Sequence, residues 1–381
     1  MNSKIFLLLL FFTLSLQLHI KIYDQQYAYV KIGFSNERLK FLIDPTAPFS
    51  TLLTDVDSKT VVKGEQFKYT DMFGTFEGHW ETDTIFLTPD EIFNIKLKYL
   101  KVTKRQSLLR EGIDGILGLG FSSNYPDCNI YQVLQKMSNV LINTEPFMTY
   151  DKKRQYITVG KFPGPEYTNP QVYPLKKDPV YGTLINITAI GVTDDKKVMT
   201  RIELNDTAKL GLIPVIIAPE KRKNDLNEKY FKLISEGKVE EDTSKKFKFF
   251  NDVHVEKKKK MKMKTEILLG NIAYKYDPLY DFEGKHKSSI RLGDKKEDTF
   301  SAWYLGMEEM KIDRADFDYT NNCVKLYSAT ARDINKFKLL LLAYFALVSA
   351  IFVFCCACCL RCCCFRKEQK DIKKGEELVD L

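Results

Sequence analysis

The feature that most constrains this chain is a run of 22 residues, Leu339 to Leu360, without one charged side chain. Wound as an α-helix it is about 33 Å long, which matches the hydrocarbon core of a bilayer. Arg361, Arg366, Lys367, Lys370, Lys373 and Lys374 follow it directly. Positive residues on that flank place the tail in the cytoplasm. A second apolar run, Ile5 to Leu16, follows Lys4. It is short for a span and has the form of a secretory signal, with cleavage expected between Leu18 and Lys21. The two runs together predict a type I membrane protein. Residues 1–19 are a signal peptide, 339–360 the span and 361–381 a cytoplasmic tail. What lies between is a lumenal or extracellular ectodomain.

Cysteine placement agrees with that layout. Seven of the nine cysteines (Cys355, Cys356, Cys358, Cys359, Cys362, Cys363 and Cys364) sit at the expected cytoplasmic membrane boundary. Thiols stay reduced there, and S-acylation is their expected fate. With no histidine among them and lipid around them, metal binding is the weaker reading. Only Cys128 and Cys323 remain, so the ectodomain is not a small disulfide-stapled fold. Spacing leaves open whether those two pair. The net charge of +8, from 58 basic and 50 acidic residues, is too modest to call for a nucleic-acid partner. The lysine-rich stretch from Glu240 to Thr265 reads as a solvated loop or hairpin, since basic runs of this kind are common on solvated faces. Asn186 and Asn205 head N-x-T sequons and are candidate glycosylation sites.

Across the ectodomain short β-branched and aromatic runs dominate. Ala28–Gly33, Leu39–Ile43, Thr84–Leu87, Gln155–Val159 and Thr183–Ile190 are examples, most ending at Gly, Asp, Asn or Pro. Helical patterning is confined to about Ile130–Met137 and Leu226–Ser235. The expectation is an all-β ectodomain.

Several of these segments fall in an informative order. Tyr29–Gly33 precedes Phe41-Leu-Ile-Asp44-Pro-Thr-Ala47. Then come Tyr69-Thr-Asp-Met-Phe-Gly74, Ile113-Asp-Gly-Ile-Leu-Gly-Leu-Gly120, Trp303-Tyr-Leu-Gly306 and Ala315–Asn322. In this order they resemble the pepsin-like aspartic proteases, the eukaryotic aspartyl protease or peptidase A1 family. The resemblance implies a bilobal all-β fold with a central cleft, an N-terminal lobe over 20–175 and a C-terminal lobe over 176–335. It implies one catalytic Asp per lobe, with Asp44 in the first. It also places Tyr69 on a flap hairpin over the cleft, where its plainer role is cross-strand packing. A cleft of that kind binds an extended peptide or protein segment.

The chemistry of that family needs two carboxyls sharing one proton, one acting as base on water and the other as acid. Around Asp44 the usual Thr-Gly-Ser is replaced by Pro45-Thr46-Ala47. Thr46 should resist a turn that a glycine would make, and Ala47 has no hydroxyl to hold the carboxylate. In the second lobe the best register takes Val215–Pro219 as the closing run and puts Leu210 where the second Asp belongs. A rival register uses Asp206. The expectation is a membrane-anchored pseudoprotease that binds peptide or protein segments in its cleft. The alternative is an active endopeptidase with the atypical dyad Asp44 and Asp206, working at acid pH. A structural or adhesion ectodomain with a filled cleft is a third reading. Neither cofactor nor metal is expected, and oligomeric state is not legible.

Overall fold

A computed structural model describes residues 18–376 apart from 34–36, 55–63, 72, 92, 108–111, 123, 137–145, 161–168, 179–180, 194–198, 243–249, 258–263, 283–284 and 294–300. The apolar run Ile5–Leu16, the centre of the lysine-rich stretch and the last five residues of the tail lie outside the described residues.

Strands dominate, as the alternation of apolar and polar residues dictates. Tyr27–Ile32, Leu39–Asp44, Gly74–Phe86, Tyr156–Val159 and Gly182–Thr193 cover the expected strand runs. The helices of the body are few. Ile130–Lys136 buries Ile130, Tyr131, Val133 and Leu134, the apolar stripe of its sequence. A second helical stretch spans 223–234 and buries Leu226, Tyr230, Phe231 and Ile234.

The same connectivity occurs twice. In the first half Leu39–Asp44 runs parallel to Gly115–Gly118. That strand is antiparallel to Thr51–Leu52, which is parallel to Asn94–Ser107. In the second half Met199–Gly211 runs parallel to Trp303–Gly306. That strand is antiparallel to Ile216–Ala218, which is parallel to Ile290–Gly293. Two copies of one unusual strand order make the body a pair of related β lobes, and each copy presents the end of its long first strand to the region between them.

A six-stranded sheet joins the halves, in the order Leu18–Lys21, Tyr156–Val159, Phe147–Asp151, Arg314–Asp318, Cys323–Tyr327, Gln171–Pro174. It mixes the beginning, middle and end of residues 18–331. Residues up to 331 accordingly form one compact unit. Leu18 and His19, assigned from sequence to the signal peptide, belong to this sheet; Leu18 and Ile20 are buried and pair with Val159 and Ile157.

The second unit, 332–381, is carried by the helix Ile334–Glu376. Its segment Ile334–Cys358 is, by length and composition, apolar enough to cross a membrane. The helix starts ahead of the charge-free run.

Candidate active site

Asp44 ends its strand with a carboxylate that is almost fully buried, 2% exposed. Its Oδ1 accepts three hydrogen bonds: from the Thr46 N–H at 2.9 Å, the Thr46 hydroxyl at 2.8 Å and the Ala47 N–H at 3.0 Å. The expected damage to this turn is thus corrected. Thr46 keeps out of the left-handed region, so its branched side chain is not strained. Its hydroxyl supplies the contact that Ala47 lacks. The second half braces the turn from behind, through the Tyr319 hydroxyl on the Pro45 carbonyl at 2.7 Å and the Thr183 N–H on the Thr46 carbonyl at 3.3 Å. Gly182, at φ +82°, is needed there: a Cβ would stand 1.9 Å from the Thr46 carbonyl oxygen.

The group facing Asp44 is neither of those expected. Lys209 reaches across from the second lobe and places its Nζ 2.6 Å from Asp44 Oδ2, with its side chain wholly buried. The contact is a close ion pair rather than a directed hydrogen bond, and among the described residues the ammonium donates no hydrogen bond elsewhere. The ring of Phe73, near the flap tip, lies 5.8 Å from that ammonium.

Strand register corrects the position of the missing acid. Asp44 stands opposite Gly118, and Gly211 stands opposite Gly306 in the matching pair of the second lobe. The residue equivalent to Asp44 is therefore Gly211, one place beyond Leu210. Side chains alternate along a strand, so Lys209 and Gly211 share one face while Asp206, Ala208 and Leu210 share the other. Leu210 is buried in the main hydrophobic core and does not face Asp44.

Tyr304 occupies the space above Gly211. A Cβ on Gly211 would lie 2.0 Å from the Tyr304 hydroxyl oxygen. That hydroxyl accepts the Ile213 N–H at 2.9 Å, just as the Asp44 carboxylate accepts the Thr46 N–H at 2.9 Å. In each lobe the acceptor serves the N–H two residues beyond the Asp44-equivalent position. The glycine and the tyrosine form one compensated change: losing the side chain at 211 opens the volume that the phenol fills.

Asp206, the rival second acid, has other partners. Its carboxylate accepts from Arg222 Nε at 2.7 Å, Arg222 Nη2 at 3.1 Å and the Trp303 indole at 3.0 Å, and pairs with Lys221 at 3.0 Å. Burial works upward on its pKa, but the hydrogen bonds from Arg222, Trp303 and Lys221 outweigh it and hold the carboxyl below its usual range. It clamps the helical stretch at 222 to its strand and is not a partner of Asp44.

The flap is the hairpin of Gln66–Asp71 and Gly74–Phe86. Tyr69 is buried on it with its ring 4.7 Å from Phe49, which is the packing role. Phe73 lies 6.3 Å from Tyr304, so the flap tip is seated on the second lobe. Phe73, Tyr69, Trp80, Tyr304, Val215 and Ile217 belong to one hydrophobic cluster that crosses between the lobes. Asp71 is buried beside it. Burial pushes its carboxyl up to about 7; the Lys209 charge pulls the other way, and the Asp44 charge adds to the rise. Burial, then the charges of Asp71 and Asp44, push the Tyr69 hydroxyl well up.

Lys209 and Asp71 escaped the sequence reading. Lys209 is the lone cation in the run Ala208–Ile213, a charge inside an otherwise apolar strand, and that was the available signal. Asn186 and Asn205 are both exposed. Cys128 and Cys323 are free thiols, the first buried, so the open pairing question is answered.

No curated protein matches the chain. Its residues 51–163 match the family model described as eukaryotic aspartyl protease. The matched stretch begins beyond Asp44 and holds the flap and the strand Gly115–Gly118. The resemblance read from the sequence is thus supported by a family model matched over residues 51–163 and by the doubled strand order: that stretch of the chain is similar to the eukaryotic aspartyl protease family.

Proposed function

We propose that this chain is a type I membrane-anchored aspartyl protease homologue that does not hydrolyse peptide bonds and uses its inter-lobe cleft to hold a peptide or protein segment. The observation that carries this reading is the ammonium of Lys209 against Asp44. Hydrolysis by this family's chemistry needs a water between two carboxyls, one taking its proton and the other giving one to the substrate carbonyl. Here both Asp44 oxygens are engaged, Oδ1 by three donors and Oδ2 by Lys209. The matching position across the cleft is a glycine covered by a phenol. Loss of one acid–base group slows such reactions by about 100- to 10,000-fold, and this site lacks the facing acid and occupies the remaining one.

The bilobal architecture and the flap support a peptide ligand, which enters once Phe73 lifts from Tyr304. The basic residues after the span support a cytoplasmic tail. Exposure of Asn186 and Asn205 supports glycans there, and exposed Cys355, Cys356 and Cys358 support S-acylation with their neighbours Cys359, Cys362, Cys363 and Cys364. The test is proteolysis of a diverse peptide mixture by the purified protein between about pH 3 and 6, conditions that suit the family's shared proton. No cleavage above background is expected. Cleavage that vanishes in Asp44→Asn would return the chain to the enzymes.

A further inference from the structure

A groove of about 710 Å³ lies on the first-lobe sheet, and none of its lining residues belongs to the Asp44–Lys209 site. Two adjacent strands build its floor. Thr82 stands opposite Lys98 and Thr84 opposite Lys96. Side chains two apart on a strand share a face, so Lys96 and Lys98 project together, about 6.7 Å apart. Lys136, from the end of the helix Ile130–Lys136, supplies a third ammonium at the wall. Asp127 is the one acid among the lining residues and is bound to Lys136 at 2.6 Å.

The polar groups of this groove are largely unused. Among the described residues Lys96 makes no ion pair or hydrogen bond, and no hydrogen bond engages the side chains of Thr82, Thr84 or Asn94. Lys98 lies over the ring of the buried Trp80 at 5.4 Å. Three ammoniums against one carboxylate leave an excess of positive charge beside two hydroxyls and an amide. The volume is that of a ligand pocket with a few convergent polar groups.

The chemistry of the occupant follows from the side chains that the groove presents. Ammoniums suit sulfates or carboxylates, and hydroxyl and amide side chains suit sugar hydroxyls. We propose that this groove is a binding site for an acidic, sulfated or uronate-bearing oligosaccharide. It is separate from the cleft and does not depend on whether the cleft binds peptide.

The experiment uses the full-length protein in nanodiscs of neutral lipid. A fluorescent, sulfated, uronate-containing hexasaccharide is titrated by anisotropy at near-physiological salt. Its desulfated, carboxyl-reduced form and a glutamate oligopeptide of equal charge are titrated beside it. Binding of the sulfated sugar is expected, with at least tenfold weaker binding of both comparators. Lys96→Ser with Lys98→Ser should weaken binding at least tenfold while thermal unfolding stays unchanged, since both side chains lie on the solvent side. Thr84→Val should weaken it a few-fold. No binding of the acidic sugar overturns the proposal. So does binding indifferent to the lysine pair, or equal binding of the glutamate peptide, which would make the groove a general polyanion surface.

Discussion

At the scale of single residues the site turns on two coupled pairs. Lys209 and Asp44 are both buried, so removing one partner strands the other charge in a low-dielectric interior. Lys209→Met alone should lower unfolding stability by about 3–5 kcal/mol, measured by urea denaturation, and Asp44→Asn by a similar amount. The double variant Lys209→Met with Asp44→Leu should recover most of the loss, because neither charge then remains. The second pair is Gly211 and Tyr304. Tyr304→Phe should cost about 1–3 kcal/mol by leaving the buried Ile213 N–H without an acceptor. Gly211→Ala should cost a similar amount, about 1–3 kcal/mol, through overpacking against the phenol. In the Gly211→Ala, Tyr304→Leu double variant the overpacking disappears, so the two effects should not add. These pairs also mark where sequence reading stopped. Asp44 was legible because it sits in a recognisable run, whereas the residue facing it depended on strand register across two lobes. A slip of one residue reverses every side chain, which is how Leu210 came to stand for Gly211.

At the scale of elements the flap hairpin is the part most responsive to conditions. Asp71 lies on it with a carboxyl raised to about 7. The folded form therefore binds that proton more tightly than the unfolded chain does. Its stabilising contribution is complete below the ordinary carboxylate range and is lost as pH rises towards 7. Across that window unfolding stability should fall by at most about 1.4 kcal/mol for each step of one in pH, and Asp71→Asn should flatten the profile. Hydrogen exchange at 66–76 should quicken over the same pH range if the flap loosens first. Element types were readable from the sequence because alternation of apolar residues with Gly, Asp and Asn punctuation survives in each strand. The seating of Phe73 on Tyr304 was not, because it joins residues far apart in sequence that no local pattern relates.

At the scale of the whole molecule the two-lobed body was anticipated by the ordered segments that carry the family resemblance, and the long apolar helix by its lack of charge. The joining sheet was not anticipated. It places Arg314–Asp318 between Phe147–Asp151 and Cys323–Tyr327, inside a layer whose outer strand is Leu18–Lys21. Deleting residues 18–21 should expose the Tyr156–Val159 edge and lower the thermal midpoint by several degrees, roughly what a loss of 1–2 kcal/mol brings in a protein of this size. That arrangement also sets a schedule for biosynthesis. Phe147–Asp151 emerges from the ribosome long before the strand that must lie beside it, and that partner is made just ahead of the long apolar helix. The earlier half has to wait with a bare flank, open to chaperones. Pulse-labelled intermediates halted before residue 314 should stay sensitive to added protease, and resistance should arise only once the segment next to the apolar helix has been made.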